Sequence, residues 1–274
     1  MPPMLTRLAP AHGVVIYRSP LLASAGLPHA FTTRLGGHSP KPYDTLNLSR
    51  IPGPGETQDQ LDRNLELALE AAGLAGRSPR LLHQVHGCGV VSLRAAERTS
   101  PYARPFPQAD ALVGNDPGDV LIVRVADCLP ILLADSQGVG VGAIHAGWRG
   151  LVEGVIPRAV EAMREGLGVP AERLLAAIGP GIGVERFEVG DEVAAAFRAR
   201  LPGLAVLQPG PGGREHVDLA TTAERVLRSL GVAEAAIDRT DRCTHRDAEE
   251  FYSHRRDQGV TGRQAALIGV PTAR

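Results

Sequence analysis

Lysine is nearly missing from this chain. Lys41 is the only one among 274 residues, although lysine and arginine together number 29. The positive charge is therefore carried by arginine, which stays ionised and can grip a carboxylate or phosphate through two parallel bonds. GC-rich codon usage would produce the same bias. An excess of either charge is missing as well. Asp and Glu number 30, leaving a net charge of −1, so no overall field draws the chain to nucleic acid or to an anionic membrane. No run approaches the eighteen apolar residues of a membrane span. The opening MPPMLTRLAP lacks the apolar centre of a secretory signal. Cysteine is scarce: Cys88, Cys128 and Cys243 make an odd, small set, which is not a disulfide framework. These absences together lead us to expect a cytoplasmic protein with thiols free for chemistry or metal.

What is present suits an ordinary globular protein. Apolar residues make up 43%, enough to exclude disorder over most of the chain. Gln208–Gly213 (QPGPGG) and the Pro-rich Tyr102–Pro107 read as surface loops, too short to link independent domains. Residues 1–274 are therefore expected to form a single domain. Val14–Tyr17 and Ala30–Thr33 read as short strands. Thr57–Ala72 reads as a helix with a capping box from Thr57 to Gln60 and a terminating Gly73. Val120–Val125, Ile131–Ala134 and Val139–Ile144 are short apolar runs rich in β-branched residues, and they read as buried strands. A helix is expected after Gly150 to about Glu165, then a strand over Leu174–Ile178. Asp191–Arg200 and Asp218–Leu230 read as helices with acidic starts, and Ala265–Val270 as a closing strand. The sum is an α/β protein with strands paired in the middle.

Three residues stand out by local context. His86 lies in Gln84-Val85-His86-Gly87, Cys128 in Ala126-Asp127-Cys128-Leu129-Pro130, and His145 in HAGWRG at the end of a predicted strand. Strand ends beside helix starts are where α/β proteins place their sites. Two imidazoles and a thiolate suit Zn²⁺ with a fourth position open for water or substrate, and they can also take copper. Asp127 could serve as acid, base or orienting group. Spacing alone does not decide, because 42 and 17 residues separate the three positions and match no short metal motif. On spacing alone, a buried structural cysteine with two unrelated histidines is the readier reading. A Cys128 nucleophile with His145 as its base also fits. His83 lies three residues from His86, and on a strand the two would face opposite sides. Two polar segments could contact a ligand: Phe31–Gly37 with Tyr43–Leu48, which contains Arg34 and Asn47, and Phe251–Arg263, which contains Arg255. Gly179–Gly183 lacks the features of a nucleotide loop and reads as a tight turn.

These motifs resemble the YfiH/YlmD family, long called laccase-domain or multicopper polyphenol oxidase proteins and more recently treated as purine nucleoside phosphorylases. The matching stretches are Phe31–Gly37, Tyr43–Leu48, Gln84–Gly87, Ala109–Val113, Ala126–Pro130, His145–Gly150, Ile178–Gly181, Phe187–Val193 and Phe251–Arg263. The resemblance implies a four-layer α/β/β/α fold of mixed β-sheets flanked by helices, related to a cytotoxic-factor deamidase with a catalytic Cys–His pair. It implies one zinc on His86, Cys128 and His145, with copper as an alternative. The implied activity is phosphorolysis of adenosine, inosine, guanosine and methylthioadenosine to base and ribose 1-phosphate, with adenosine deamination beside it. The partners are then purine nucleosides and phosphate, and the chemistry is expected at Cys128, His145 and Asp127. Arg34, Asn47, Arg149 and Arg255 are the expected substrate contacts. The oligomeric state stays open, a monomer being one option. Two competing readings are a copper phenol oxidase and a Cys–His hydrolase editing a cell-wall precursor. Against the oxidase, an electron-transfer copper with a trinuclear cluster needs about ten histidines; the chain has nine and no HxH pair.

Overall fold

A computed structural model describes residues 4–10, 12–93 and 105–271. The first part supplies β1 (Thr6–Leu8), β2 (Ile16–Arg18), α1 (Pro20–Ser24), β3 (His29–Thr32), α2 (Gln58–Ala72) and β4 (Ser78–Arg80). The middle supplies β5 (Val90–Leu93), β6 (Ala111–Gly114), β7 (Asp119–Val125), β8 (Leu129–Asp135), β9 (Val141–Ala146), α3 (Trp148–Glu153) and α4 (Val155–Leu167). The last part adds β10 (Leu174–Ile178), β11 (Glu188–Val189), α5 (Asp191–Arg200), β12 (Leu207–Pro209), β13 (Glu215–Val217), α6 (Leu219–Ser229), β14 (Ile237–Asp238) and β15 (Gln264–Ile268).

Two six-stranded mixed sheets carry the fold. Their orders are β1-β2-β3-β15-β7-β4 and β14-β10-β8-β9-β6-β5, and a small sheet β11-β13-β12 stands apart. Strand alternation explains the layering. Leu121 and Val123 of β7, with Ala266 and Ile268 of β15, pack in one cluster with Leu132 and Ala134 of β8 and Ala143 of β9. Their neighbours Val120, Ile122, Ala265 and Leu267 pack instead with Ala68, Leu69 and Ala72 of α2. Ile131 and Leu133 of β8 pack with Ile156, Ala159, Val160 and Met163 of α4 and with Val226 of α6. Successive side chains of a strand point to opposite faces. Each central strand is therefore apolar on both faces, with a sheet on one side and a helix on the other. This is the expected α/β/β/α order.

The helix signals operate as read. Thr57 Oγ1 accepts from the Gln60 N–H at 3.3 Å, and Gln60 Oε1 accepts from the Thr57 N–H at 2.9 Å. Gly73 ends α2 in the left-handed region at φ 74°. Other boundaries differ. The helix expected after Gly150 begins at Trp148 and is broken at Gly154, whose φ of 87° separates α3 from α4. The strand read as Val139–Ile144 lies at Val141–Ala146, so His145 is inside β9 rather than beyond it. In the QPGPGG stretch, Gln208 and Pro209 belong to β12, paired with β13, and are not loop. Of the Pro-rich Tyr102–Pro107, positions 102–104 lie outside the described residues, and 105–107 are irregular.

Register positions the site. Leu129 pairs with Ala146 and Pro130 with His145 across β8 and β9, so Cys128 sits opposite Gly147. Ala111 pairs with Ile144 across β6 and β9, and the His145 N–H continues that ladder to the Asp110 carbonyl at 2.7 Å.

Candidate active site

The three residues singled out in the sequence come together. One nitrogen each of His86 and His145 and the Cys128 sulfur all lie within 4.8 Å of one another. The imidazoles meet edge to face with centroids 4.9 Å apart. The glycines of HAGWRG make this approach possible. A Cβ at position 147 would stand 2.9 Å from Cys128 Sγ and 3.3 Å from His86 Cδ2, and one at position 150 would stand 2.7 Å from the Gly87 carbonyl. His86 lies in a turn at φ 60°, not on a strand, which corrects the geometry expected for His83 and His86.

Asp110 organises the cluster. It is fully buried, and its carboxylate accepts from the backbone N–H groups of Val85 (3.2 Å), His86 (2.9 Å) and Gly87 (2.8 Å). The same carboxylate lies 2.7 Å from His145 Nδ1. An ionised carboxylate only accepts, so Nδ1 carries the proton and Nε2 is left for a ligand or for Cys128. Burial alone would raise the Asp110 pKa, but His145 and the backbone donors hold it below its ordinary value. Burial would likewise raise the Cys128 thiol; the adjacent His145 and His86 overcome this and pull it down. Burial would lower His145, and Cys128 with Asp110 drives it upward instead. The arrangement therefore favours a thiolate beside an oriented imidazole, the donor state that Zn²⁺ requires.

The cluster opens into a cleft of about 1120 Å³, in the range of small-molecule sites. Asp127 stands at its edge with φ 89°. Its carboxylate accepts from Thr244 Oγ1 and from the Arg255 N–H, each at 2.7 Å. Arg149 and Arg255 also line the cleft with exposed guanidiniums. Arg149 stacks on Trp148 at 4.4 Å, and Arg255 donates to the Glu188 carbonyl at 3.1 Å.

Residues 28–271 match the family described as multi-copper polyphenol oxidoreductase laccase. A purine nucleoside phosphorylase of Deinococcus radiodurans is 42% identical over 262 residues, covering 95% of both chains. The purine nucleoside phosphorylase YfiH of Escherichia coli is 39% identical over 243 residues, covering 89% of this chain and 93% of that one. The crystal structure of YlmD from Geobacillus stearothermophilus superposes with a TM-score of 0.86 at 28% identity, covering 97% and 99% of the two chains. The chain belongs to this family.

Among the described residues, His86, Cys128 and His145 form the one group with metal-ligating geometry, and none of those residues forms a helix long and apolar enough to cross a membrane. Arg34 is not among the residues lining the cleft. Its Nε and Nη2 donate to the Asp44 carbonyl and carboxylate, its Nη1 to the Ala248 carbonyl, and it stacks on Tyr252 at 4.7 Å. These partners, away from the cleft lining, are what the structure shows for the residue expected to meet substrate. Asn47 does line the cleft, but its amide is occupied. Nδ2 donates to Glu56 at 2.9 Å, and Oδ1 accepts from Ser49 and Arg263 N–H groups at 3.0 and 2.9 Å. Sequence reasoning passed over two residues that matter here, Asp110 and Arg124, whereas Arg263 closes the segment Phe251–Arg263 already read as a possible ligand contact. Arg124 carried a usable signal, since an arginine inside Val-Leu-Ile-Val-Arg-Val puts a charge in a buried strand.

Proposed function

We propose that this protein is a zinc-dependent purine nucleoside phosphorylase. Its substrates are adenosine, inosine, guanosine and methylthioadenosine, and adenosine deamination is a side activity. The observation that carries the reading is one cleft that joins a thiolate–imidazole cluster to arginine-lined walls. The names of the relatives point the same way. The donors fit one zinc at His86, Cys128 and His145. Such an ion supplies a Lewis-acid position with a fourth site open to a reactant.

The chain's own residues do the positioning. Asp110 fixes the His145 tautomer and ties the 85–87 backbone to it. Asp127 has both oxygens engaged by Thr244 and Arg255, so we assign it to holding the 254–255 loop rather than to proton transfer. Arg149 and Arg255 sit where they can meet the nucleoside. In phosphorolysis a phosphate oxygen forms a bond to ribose C1′ as the C1′–N9 bond breaks, and that electron pair leaves with the purine. Positive charge grows on the ribose in the transition state, so an anion held beneath the ring by fixed cations stabilises it and is itself delivered.

The test is purified protein with adenosine, with and without phosphate. Adenine should appear only when phosphate is supplied; equal release without it means hydrolysis and rejects the proposal. One observation favours a second reading. Cys128, His145 and Asp110 align as nucleophile, base and orienting carboxylate, the order of a Cys–His hydrolase. Turnover that survives metal removal but is lost in Cys128→Ala would select it, and the same metal analysis distinguishes zinc from copper.

A further inference from the structure

We infer that Arg124, with Arg263 and Arg50, forms a preformed oxyanion site for a phosphate group in the wall of the cleft. Its part in catalysis rests on the phosphorylase reading; its existence as a binding site does not.

Arg124 is the anomaly that points to it. It sits near the end of β7, in a strand otherwise buried along its length. Its backbone is held by one side chain on both sides: Gln84 Nε2 donates to the Arg124 carbonyl at 2.8 Å, and Gln84 Oε1 accepts from the Arg124 N–H at 3.0 Å. Its Nη2 donates to the Leu82 carbonyl at 3.0 Å. Its Nε is buried with no hydrogen-bond partner. A buried donor without an acceptor is costly, and here it belongs to a charged group facing a cleft.

The surroundings add like charge. Burial, with the charges of Arg50 and Arg263 acting in the same direction, lowers the Arg124 pKa to about 9. Arg263 is itself lowered by burial, with only the Cys128 and Asp127 charges opposing. Its backbone N–H is pinned by Asn47 Oδ1 at 2.9 Å, and its Nη1 donates to the Thr261 and Gly262 carbonyls at 3.0 and 2.8 Å. Glu56, which with Asp127 supplies the carboxylates lining the cleft, accepts from Asn47 and from the Gly53 N–H at 2.9 Å. Arg124 and Arg263 thus hold like charges on fixed backbone, with the Arg124 Nε left over. A tetrahedral oxyanion relieves both conditions, accepting from guanidinium nitrogens in the paired geometry that arginine favours. Gln84 also lies two residues from His86, so the anion wall and the thiolate cluster share one loop.

The anion could be inorganic phosphate or the phosphate ester of a nucleotide. Calorimetric titration of the intact protein with orthophosphate and, separately, with adenosine 5′-monophosphate distinguishes these sources. We expect orthophosphate to bind and Arg124→Gln to weaken it about tenfold to hundredfold, the loss of one or two charge-assisted bonds, with bound zinc unchanged. Binding of the ester alone keeps the site and reassigns its source. Should Arg124→Gln fail to fold, Arg263→Gln and Arg124→Lys carry the same expectation. Unaltered affinity of the folded variants for whichever of the two anions binds, or binding of neither orthophosphate nor the ester to the parent protein, overturns the inference. Phosphate-dependent adenosine cleavage with an unchanged phosphate KM in Arg124→Gln would reject this site and leave the phosphorylase reading standing. Phosphate binding that depends on Arg124 in a protein that cleaves no nucleoside would do the reverse.

Discussion

Replacing Asp110 with Asn removes the charge that holds the active centre together while keeping nearly the same volume. The carboxylate accepts four bonds, three from the backbone of residues 85–87 and one from His145 Nδ1. Asparagine keeps one acceptor oxygen and turns an NH₂ toward groups that are themselves donors. At least two bonds are lost, and a buried N–H is left facing a donor. At about 1.5–3 kcal/mol per hydrogen bond to a charged acceptor, with incomplete additivity, folding stability should fall by about 3 kcal/mol. Both imidazoles also lose their orientation, so zinc affinity should fall about tenfold to hundredfold, as it does when a carboxylate partner of a ligating histidine is removed. The assay is competitive zinc titration beside urea denaturation of the metal-free protein. A variant with the parent's zinc affinity and a midpoint within about 0.5 kcal/mol of it would refute the role given to Asp110.

Other consequences follow from the same geometry. Gly147→Ala places a Cβ 2.9 Å from Cys128 Sγ; ligand distances tolerate only about 0.2 Å, so metal content should drop sharply while metal-free melting stays near that of the parent, and full occupancy would contradict it. Arg34→Met should cost about 1–3 kcal/mol of stability and leave the phosphate KM unchanged, since Arg34 bonds to Asp44 and Ala248; a large rise in KM would return Arg34 to the site. His29 is fully buried, accepts from the Ser19 N–H at 2.8 Å and donates to the Leu27 carbonyl. Burial lowers its pKa from 6.5 to about 4. Between those values the unfolded chain binds a proton that the folded chain refuses, so stability should fall as pH drops from 6.5 toward 4, by up to about 3 kcal/mol. His29→Gln should flatten that slope in urea denaturation, and an unchanged slope would count against a neutral buried His29.

The elements that could be read from sequence were those whose signal is local. Leu174–Ile178 and Asp191–Arg200 lie where their patterns put them, and α2 keeps its capping box. Apolar runs announce strands buried on both faces, and β7 and β8 are of that kind. Strands of two to four residues, such as Ser78–Arg80 and Glu188–Val189, carry too few side chains for a period to show. They are fixed by pairing with distant partners. Gly154 lies in a stretch that patterns as one helix, and only its φ of 87° splits it. The same division holds in the site. His86, Cys128 and His145 were found through their motifs, whereas Asp110 acts through contacts 23 to 35 residues away. Arg34 and Arg124 are the instructive pair. The exposed-looking arginine beside a glycine pair is spent on carbonyls, and the one inside an apolar strand has the unpartnered donor.

The central claim is that the His86–Cys128–His145 cluster is a phosphorylase centre. Its most direct test is product analysis with inosine and phosphate, run on the parent protein and on Cys128→Ala with bound metal measured in both. We predict ribose 1-phosphate and hypoxanthine in equal amounts from a parent carrying about one zinc per chain, and neither product nor zinc from the variant. Free ribose in place of ribose 1-phosphate, or undiminished product from Cys128→Ala, would contradict it.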